Sequence, residues 1–426
     1  NTVHYGGSGA GVIVNLSGAS VTIGATTVAS MTGANATASA SHAAGDTYTA
    51  IQNVTGSTFN DIFIGGAEVN AFTGNGGSDT VSYAASGSAV TVNLSTGPVT
   101  PTAGGGSLAA GTGRGGDAQG DTYNGISNVT GSTFGGDEFF AHNTLVGTFD
   151  GNGGLHDRVN YTGFSSNLTI NLSDKTVGGL NAGKGIVGKT GQDTYIGIHD
   201  ATGGSGNDVF IAGSAANAFD GGTGSNTVNY AASDAGVIVN LAADTRGGLT
   251  TMTGGGAAGS YAIGDTYINI QNVVGSSFDD IFYASAATGA AANKFDGGVS
   301  DANSHNRVSY EAATADVLIN LAGTAATLNG TSVGALSGAG GAAGDTYANI
   351  QDIAGGSGND TFNAAAVTNR FDGGTGVNTV SYQSLAGPVN IDIKNMTGSS
   401  AFQNGYLFWN IQNLIGTAGN DTLGGA

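Results

Sequence analysis

Large apolar residues recur along this chain in very short segments, which are separated by turns rich in Gly, Asn, Asp and Ser. The clearest example is residues 203–211, which read G-G-x-G-x-D-x-U-x, where U is a large apolar residue. The same frame returns eighteen residues later at 221–229, with Asn226 in the place of Asp208. Alternating polarity predicts a strand with one inward side chain, and glycine allows the positive-φ turns between strands.

These units are grouped into a longer repeat. Each long repeat opens with a segment such as N-T-V-x-Y, and a V-x-V-N-L strand ends eleven residues after the Tyr. A variable stretch, a G-D-T-Y segment, an I-Q-N-V-x-G turn and an apolar-Asp-Gly turn follow. Self-similarity with such a period is typical of solenoids. We place the repeats at approximately 1–77, 78–156, 157–225, 226–305, 306–377 and 378–426, the last one partial.

The repeat length indicates the fold. The interval from Asn306 to Asn378 is 72 residues, which equals four coils of eighteen residues with two turn–strand units each. Nothing in the chain keeps a helical period of 3.6 over a useful length. The sequence therefore predicts an all-β protein, one continuous parallel β-solenoid (β-roll) over residues 1–426 with about four coils per repeat and more than twenty in all.

One stretch per repeat varies in length. From the last residue of V-x-V-N-L to the Asp of G-D-T-Y the chain runs 30, 27, 21, 24 and 24 residues in successive repeats, whereas the Tyr-to-Leu distance is constant. We expect this stretch to form a loop or hairpin that projects from one face of the solenoid.

The last repeat departs from the pattern. Where G-D-T-Y is expected, residues 405–408 read G-Y-L-F, and Trp409, the only tryptophan, follows. This predicts a local substitution in the core, with a capping or contact role as the alternative. Both ends of the chain fall inside a repeat, which indicates a segment of a longer repetitive protein.

Composition narrows the function. The chain has 79 Gly, no Cys and a net charge of −20, and 27 of its 30 acidic residues are Asp. Asp in Gly-rich turns is typical of oxygen ligands for a hard cation. The absence of a basic stripe argues against nucleic acid as a partner, and no apolar run reaches the length of a transmembrane segment.

The order V-x-V-N-L, then D-T-x-x-x-I-x-N-x-x-G-S-x-x-N-D, together with the nonapeptide, runs through the whole chain. It resembles the haemolysin-type calcium-binding (RTX) repeat proteins of Gram-negative bacteria, in particular their long secreted or cell-surface members. The resemblance implies a β-roll stabilised by Ca²⁺, export by type I secretion, and an extracellular or cell-surface location.

The resemblance also implies metal ligands. In that family an ion lies between turns on the same edge, held by the sixth-position Asp and by loop carbonyls. This implies a site between the turns that end at Asp208 and Asn226, with the carbonyls of Gly203 and Gly206 as further ligands. Equivalent pairs are Asp360 with Asn378, Asp61 with Asp79, and, where the spacing is longer, Asp137 with Asp157 and Asp280 with Asn306. Candidates without such a partner are Asp421, at the end of the chain, and, for the opposite edge, Asp150, Asp220, Asp296 and Asp372.

A second interpretation stays open for these residues. Asp and Asn also cap turns by accepting hydrogen bonds from their own backbone. Because Asn replaces Asp at 226, 306 and 378, we expect weaker binding there and metal in a minority of coils.

Other recurring residues receive structural interpretations. The Tyr of N-T-V-x-Y and the Tyr of G-D-T-Y are expected to form core ladders. The N-x-S/T segments at Asn15, Asn93 and Asn171 fall inside strands, so we interpret them as structural rather than glycosylated. The histidines, which are His4, His42, His142, His156, His199 and His305, are read as lying at different repeat positions, and no catalytic constellation is predicted.

Three functions are consistent with these features. The first is an extracellular, calcium-stabilised structural protein of a surface layer, filament or matrix, associating with itself or with neighbouring surface proteins. The second is an adhesin stalk or binding module that contacts a glycan, ice or a host surface. The third is the repeat region of a larger secreted enzyme.

Overall fold

The chain folds into short β-strands joined by tight turns. The computed structural model describes residues 1–36, 41–242, 244–285, 292–299, 304–400 and 404–425. Within these ranges the only helix is the three-residue 3₁₀ helix Gly116–Ala118, so no helix there is long enough to cross a membrane. The chain divides into two compact units, Asn1–Phe210 with Asn217–Gly224 and Ile211–Ala216 with Ser225–Ala426.

The first unit contains two sheets of mainly parallel strands. In sheet 1A the strands are Thr2–His4, Asn53–Thr55, Ala71–Thr73, Thr122–Asn124, Thr112–Arg114 (antiparallel), Thr91–Asn93, Glu138–Phe140, Arg158–Asn160, Asp200–Thr202 and Ala218–Asp220. In sheet 1B they are Gly33–Asn35 (antiparallel), Val12–Asn15, Ile62–Ile64, Asp79–Ser82, Ile126–Thr130, Thr148–Asp150, Gln192–Ile196, Lys184–Ile186 (antiparallel), Thr169–Asn171 and Val209–Ile211, which ends at the unit boundary. A separate hairpin joins Val21–Ile23 to Thr26–Val28.

The second unit repeats this plan. Sheet 2A contains Thr266–Ile268, Thr253–Gly256 (antiparallel), Val237–Asn240, Ile281–Tyr283, Arg307–Ser309, Asp352–Ala354, Arg370–Asp372, Asn404–Trp409, Thr397–Ser400 (antiparallel), Val389–Asp392 and Thr422–Gly424. Sheet 2B contains Thr227–Asn229, Asn272–Val274, Lys294–Asp296, Thr346–Ala348, Ser337–Gly340 (antiparallel), Val317–Asn320, Thr361–Asn363, Thr379–Ser381 and Asn413–Ile415. A hairpin joins Ala326–Leu328 to Thr331–Val333.

Successive strands along the chain alternate between the two sheets of their unit. Asn53–Thr55 lies in sheet 1A, Ile62–Ile64 in sheet 1B, and Ala71–Thr73 returns to sheet 1A beside Asn53–Thr55 in parallel register. Two strands and two turns therefore make one coil, which is the winding of a parallel β-solenoid. The predicted all-β fold with eighteen-residue coils is confirmed.

The predicted number of coils per repeat is wrong. Residues 306–377 supply five strands to the alternating winding, and these are Arg307–Ser309, Val317–Asn320, Asp352–Ala354, Thr361–Asn363 and Arg370–Asp372. The variable stretch does not wind. It runs back as Ser337–Gly340, antiparallel to Val317–Asn320, and returns as Thr346–Ala348 in the same sheet. Each repeat therefore makes two and a half coils rather than four.

The expectation that all inserts project from one face is also wrong, because each repeat has an odd number of strands in the winding. Because five strands end on the sheet where they began, the next repeat starts on the other sheet. In the first unit the insert strands Gly33–Asn35 and Lys184–Ile186 belong to sheet 1B, whereas Thr112–Arg114 belongs to sheet 1A. Inserts of successive repeats thus alternate between faces.

The core is thin and aromatic. In each of five repeats one Phe from each sheet meets in the interior, with ring centroids 5.4 to 6.3 Å apart, and each such ring is at most 1% exposed. The pairs are Phe63–Phe72, Phe139–Phe149, Phe210–Phe219, Phe282–Phe295 and Phe362–Phe371. These side chains occupy the U positions of the turn–strand units, as the alternation predicts.

The recurring tyrosines are buried in the core, as predicted. Their contacts join the two Tyr positions of one repeat to an acid, and stacking of one position into a ladder stays a prediction. The hydroxyl of Tyr310 donates to Asp345 Oδ2 at 2.5 Å and lies 2.6 Å from the hydroxyl of Tyr347. Asp345 Oδ1 accepts the Asn293 N–H of a neighbouring coil at 2.8 Å. The same Tyr–Tyr–Asp contact occurs at Tyr5–Tyr48–Asp46, Tyr83–Tyr123–Asp121, Tyr161–Tyr195–Asp193 and Tyr230–Tyr267–Asp265.

In the last repeat this network is replaced by rings. Phe408 pairs with Phe371 in the same way that Tyr347 of the preceding repeat pairs with Phe295. Tyr406, two residues before Phe408, therefore corresponds to the missing acid. Tyr406 and Phe408 are buried, which confirms the predicted core substitution, whereas Trp409 is 40% exposed.

The Asn that recurs in the V-x-V-N-L strands donates hydrogen bonds to the backbone of the insert that follows it. Asn171 is fully buried, and its Nδ2 donates to the carbonyls of Lys175, Leu180 and Asn181 at 2.9 to 3.1 Å. Asn15 and Asn93 are equally buried and make the equivalent bonds. The structural interpretation of the N-x-S/T segments is therefore confirmed.

We expect Asn320→Ala to destabilise the protein by roughly 2–4 kcal/mol, because it removes a fully buried amide that donates to the carbonyls of Thr324, Val333 and Gly334. Urea unfolding of the full chain measures this change. The control is Asn390→Ala, which alters an exposed Asn of a strand of the same type and is expected to change stability by less than about 0.5 kcal/mol. Equal effects of the two substitutions would contradict the assigned role.

Candidate metal centre

The turn aspartates join each Gly-rich turn to an earlier strand. Asp360 Oδ2 accepts the N–H of Gly356 in its own turn, and Oδ1 accepts the N–H of Val317 in the preceding coil, both at 2.8 Å. The other members make the same two kinds of bond: Asp61, Asp137, Asp208, Asp280 and Asp421. Each carboxylate therefore caps a turn and bridges two coils.

Burial disfavours the charged form of most of these acids. It raises the pKa of Asp137 and Asp280 to about 6, and it raises the pKa of Asp61, Asp208 and Asp360. At the exposed end of the chain the Val389 N–H instead lowers the pKa of Asp421. In each case the backbone donors favour the charged form, whereas loss of water opposes it.

A second position, in the following turn, accepts the backbone N–H of the turn aspartate. Asp79 Oδ1 accepts the N–H of Asp61 at 2.8 Å, and Asn378 Oδ1 accepts that of Asp360 at 2.9 Å. The structure brings together in this way the predicted pairs Asp61–Asp79, Asp137–Asp157, Asp280–Asn306 and Asp360–Asn378. The longer spacing in two of these pairs does not separate them.

The second terminal atom of the side chain at this position is Nδ2 in Asn, a donor, and Oδ2 in Asp, an acceptor. Asn378 Nδ2 donates to the Asn410 carbonyl at 3.0 Å, and Asn306 Nδ2 donates to the Asn349 carbonyl at 3.0 Å. Every polar atom of the amide is thus used. Where Asp stands, the donor is missing, and the carboxylate oxygens Asp79 Oδ2 and Asp157 Oδ2 are buried without a hydrogen-bond partner.

Each unpartnered oxygen faces a backbone carbonyl. A Cβ built on Gly74 would collide with Asp79 Oδ2 and would lie 2.8 Å from the Gly125 carbonyl oxygen. A Cβ on Gly151 would meet Asp157 Oδ2 at 2.5 Å and the Gly197 carbonyl oxygen at 2.6 Å. Glycine is therefore required at both positions, and two oxygens converge on one buried space.

Two converging oxygens need a proton or a cation between them. Burial, followed by the nearby Asp61 carboxylate, raises the pKa of Asp79 to about 7. Burial also raises the pKa of Asp157 to about 7, with Asp137 and Asp200 nearby. Carboxylate and carbonyl oxygens are the ligands that Ca²⁺ prefers, so these two positions have the chemistry to hold such an ion.

The aspartates of the apolar-Asp-Gly turns cap their own turns. Asp150, Asp220, Asp296 and Asp372 are half-buried, and Oδ1 of each accepts the N–H two residues later at 2.8 to 3.1 Å. Two of them also accept a side-chain bond, from Asn349 and from Asn410. Metal binding by these four residues stays a prediction.

The predicted site at 203–226 is divided between the two units. Asp208 and the turn 203–206 belong to the first unit, whereas Asn226 belongs to the second, where its Nδ2 donates to the Asn269 carbonyl at 3.0 Å. Within the first unit the Gly206 carbonyl lies against Gly224, where a Cβ would clash. Gly203 and Gly206 as carbonyl ligands stay predictions.

Acidic side chains do not cluster further. Within the described ranges, no group of three or more His, Asp or Glu side chains could hold a metal ion together. Any ion at Asp79 or Asp157 would therefore depend on at most two such side chains and on backbone oxygens.

The expectation about the histidines is wrong. His156 and His305 share one repeat position, two residues before an Arg, in the segments H-D-R-V and H-N-R-V. Each lies beside an Asp at an equivalent position, with His156 Nδ1 3.3 Å from Asp200 Oδ1 and His305 Nδ1 3.1 Å from Asp352 Oδ1. The repeated H-x-R-V segment was the sequence signal for these pairs.

Comparison with known proteins agrees with this chemistry. The RTX calcium-binding nonapeptide repeat, in a family profile of four copies, matches residues 52–85, 200–229 and 349–380. These segments contain Asp61 with Asp79, Asp208 with Asn226 and Asp360 with Asn378. No curated protein sequence matches the chain significantly.

We expect the calcium-free protein to lose stability as the pH rises from about 5 to about 8. The folded-state pKa of Asp79 and Asp157, about 7, lies above the ordinary value of 3.8, so the folded chain binds more protons than the unfolded chain between these values. Thermal unfolding in EDTA across this range measures the loss.

The double substitution Asp79→Asn with Asp157→Asn is expected to flatten this dependence and to keep the fold, because Asn already occupies this position in three other repeats. Glu68→Gln, at an exposed acid, is the control and should leave the profile unchanged. An identical pH profile for the double variant and the native chain would refute the assignment.

Proposed function

We propose that this RTX calcium-binding repeat protein is an extracellular structural element that forms part of a surface layer, filament or matrix. RTX nonapeptide repeats bind Ca²⁺ and are typical of secreted proteins. The observation that carries the proposal is the recurrence of one turn-to-strand carboxylate bridge in every long repeat, from Asp61 to Asp421. The same contact in every repeat favours a structural role for the chain over a single catalytic centre.

Calcium would act on a minority of coils. The residues suited to hold it are Asp79 with the Gly125 carbonyl and Asp157 with the Gly197 carbonyl. When bound, the ion supplies positive charge that neutralises a buried carboxylate and links successive coils. The Asn-bearing turns have a donor of their own in this position and need no ion.

Exposed rings on the turns support a contact role. Phe59, Phe134 and Phe278 occupy the same position of three G-S-x-F turns, and each is 47 to 49% exposed. Exposed apolar rings that recur on turns favour association with a neighbouring copy or surface protein.

We propose no enzymatic role for the segment. The two His–Asp pairs also contact arginines, with Arg158 Nη2 3.2 Å from Asp200 and Arg370 Nη1 3.9 Å from Asp352, which is typical of ion-pair networks on a sheet face. Hydrolysis of polysaccharide, peptide or ester substrates by the purified chain, abolished by Asp200→Asn or Asp352→Asn, would overturn this proposal.

Assembly of the full chain tests the structural role. Light scattering and electron microscopy are recorded in EDTA and at increasing free calcium. We expect ordered assemblies to appear on calcium addition, and the triple substitution of Phe59, Phe134 and Phe278 by Ser to reduce them. A chain that stays monomeric at all calcium concentrations and only binds foreign surfaces would refute the proposal and favour an adhesin.

We also expect calcium to raise the thermal stability of the chain, by about 2.7 kcal/mol for each site at a hundredfold excess over its Kd. The Asp79→Asn, Asp157→Asn double variant is expected to lose most of this gain, whereas Asn378→Asp should be less stable in EDTA and gain more from calcium. Circular dichroism with thermal unfolding measures both. Equal stability of the native chain in EDTA and calcium would show that the aspartates serve as turn caps alone.

A further inference from the structure

The outward face of sheet 2A carries an unusual row of charged residues. Neighbouring strands place Ile281, Arg307, Asp352, Arg370 and Leu407 in register along this row. The next residue of each strand points inward and is buried, as Phe282 and Phe371 show. In a chain with only ten basic residues, two of the five arginines thus lie on one short surface.

Four residues of this row, all but Leu407, line a cleft of about 440 Å³ together with Asp279, His305, Asp372 and Trp409. Ser309 and Ala354 lie between Tyr283 and Asp372 in the adjacent row. Trp409 follows Asp372 in the same row and is 40% exposed. The cleft therefore has a guanidinium row on one side and an indole ring at one end.

Three acids line this cleft, Asp279, Asp352 and Asp372, and none of them forms an ion pair with Arg307. Asp352 Oδ1 lies 3.1 Å from His305 Nδ1, and Asp352 Oδ2 lies 3.9 Å from Arg370 Nη1. In the part of the chain that the structure describes, the Arg307 guanidinium has no ion-pair or hydrogen-bond partner, and the Nε atoms of Arg307 and Arg370 are buried without one. Guanidinium groups in this state favour a bound anion.

The equivalent surface of the first unit shows what has changed. There Arg158 donates to Asp200 Oδ2 at 3.2 Å and to Thr202 Oγ1 at 3.0 Å, and Glu138 stands beside it in register. Ala218, whose N–H bonds Asp200, holds the position of Arg370. Sheet 1A therefore has two acids and one arginine in this row, all paired.

In sheet 2A the acid Glu138 is replaced by Ile281, the hydroxyl of Thr202 by Ala354, and Ala218 by Arg370. These three differences remove the hydroxyl partner and the neighbouring acid of the first arginine and add a second arginine, and they occur next to the only tryptophan. A general role in folding does not require them, because the first unit forms the same strands without them.

We propose that this cleft binds an acidic saccharide, with a carboxylate or sulfate on Arg307 and Arg370 and a sugar ring on the indole of Trp409. Planar guanidinium groups bind such anions with two parallel hydrogen bonds. An exposed aromatic face offers the apolar part of a sugar ring a flat contact surface. Two arginines make too short a basic surface for the successive phosphates of a nucleic acid. The proposal does not depend on the structural role of the chain.

The single tryptophan gives a direct measurement. The full chain at fixed free calcium is titrated with oligogalacturonate, with a sulfated oligosaccharide, with a neutral oligosaccharide of the same length, and with inorganic sulfate. We expect Trp409 fluorescence and calorimetry to report binding of at least one acidic saccharide, weakening with salt. Absence of binding at millimolar concentration, equal binding of the neutral oligosaccharide, or equal binding of inorganic sulfate would each overturn the proposal.

Variants separate this cleft from general charge effects. Arg307→Gln and Arg370→Gln are each expected to weaken binding roughly 10- to 100-fold, and Trp409→Ala to weaken it in calorimetry. Arg158→Gln, at the equivalent arginine of the first unit, is the matched control and should leave affinity unchanged. Circular dichroism checks folding, and Arg370→Lys, which keeps the charge but loses the planar fork, should give an intermediate affinity if Arg307→Gln does not fold. Equal weakening by Arg158→Gln and Arg370→Gln would refute the assignment.

Discussion

Stacked Gly-rich turns leave backbone N–H groups pointing into the solenoid, and the structure depends on side chains that accept them. A turn aspartate such as Asp360 accepts one N–H from its own turn and one from a strand 43 residues earlier. Its own N–H is then accepted by Asn378 of the next turn. Backbone donors that are buried without a partner cost about as much as a lost hydrogen bond. The acids are therefore first of all part of the backbone bonding, and metal binding is added to this role at particular positions.

The choice between Asn and Asp at the second position sets how a coil responds to its surroundings. With Asn, the amide satisfies an N–H and a carbonyl at once, so the contact is neutral and complete. With Asp, an oxygen remains against a carbonyl, and the coil needs a proton or a cation. The same repeat thus supports links between coils that are complete without an ion and links that depend on pH or on a cation. A single residue, Asn or Asp at the second position, decides which kind of link a coil has.

Much of the fold follows from the sequence because strand periodicity, turn glycines and core aromatics repeat. The pairing of Asp61 with Asp79 could be predicted from a spacing of eighteen residues, which is one coil. The path of the insert could not be predicted, because the length of a Gly-rich stretch does not indicate whether it adds a coil to the solenoid or folds back as a hairpin. That one ambiguity produced the two errors about the fold, the four coils per repeat and the single insert face. The unpartnered oxygens of Asp79 and Asp157 could not be predicted from the sequence, because they depend on the carbonyls of Gly125 and Gly197, which lie 46 and 40 residues further along the chain.

The five-strand repeat has a consequence for how such a protein can present ligand sites. Because each repeat begins on the opposite sheet from the last, the same sequence position returns to a given face only in every second repeat. His156 and His305 obey this rule, since both H-x-R-V strands, two repeats apart, lie in the A sheet of their unit. Substitutions on that strand in the intervening repeat would fall on the other sheet. A cleft such as that of Arg307 and Trp409 can therefore become specialised without neighbouring copies on its own face, while buried acids and amides keep the coils in register.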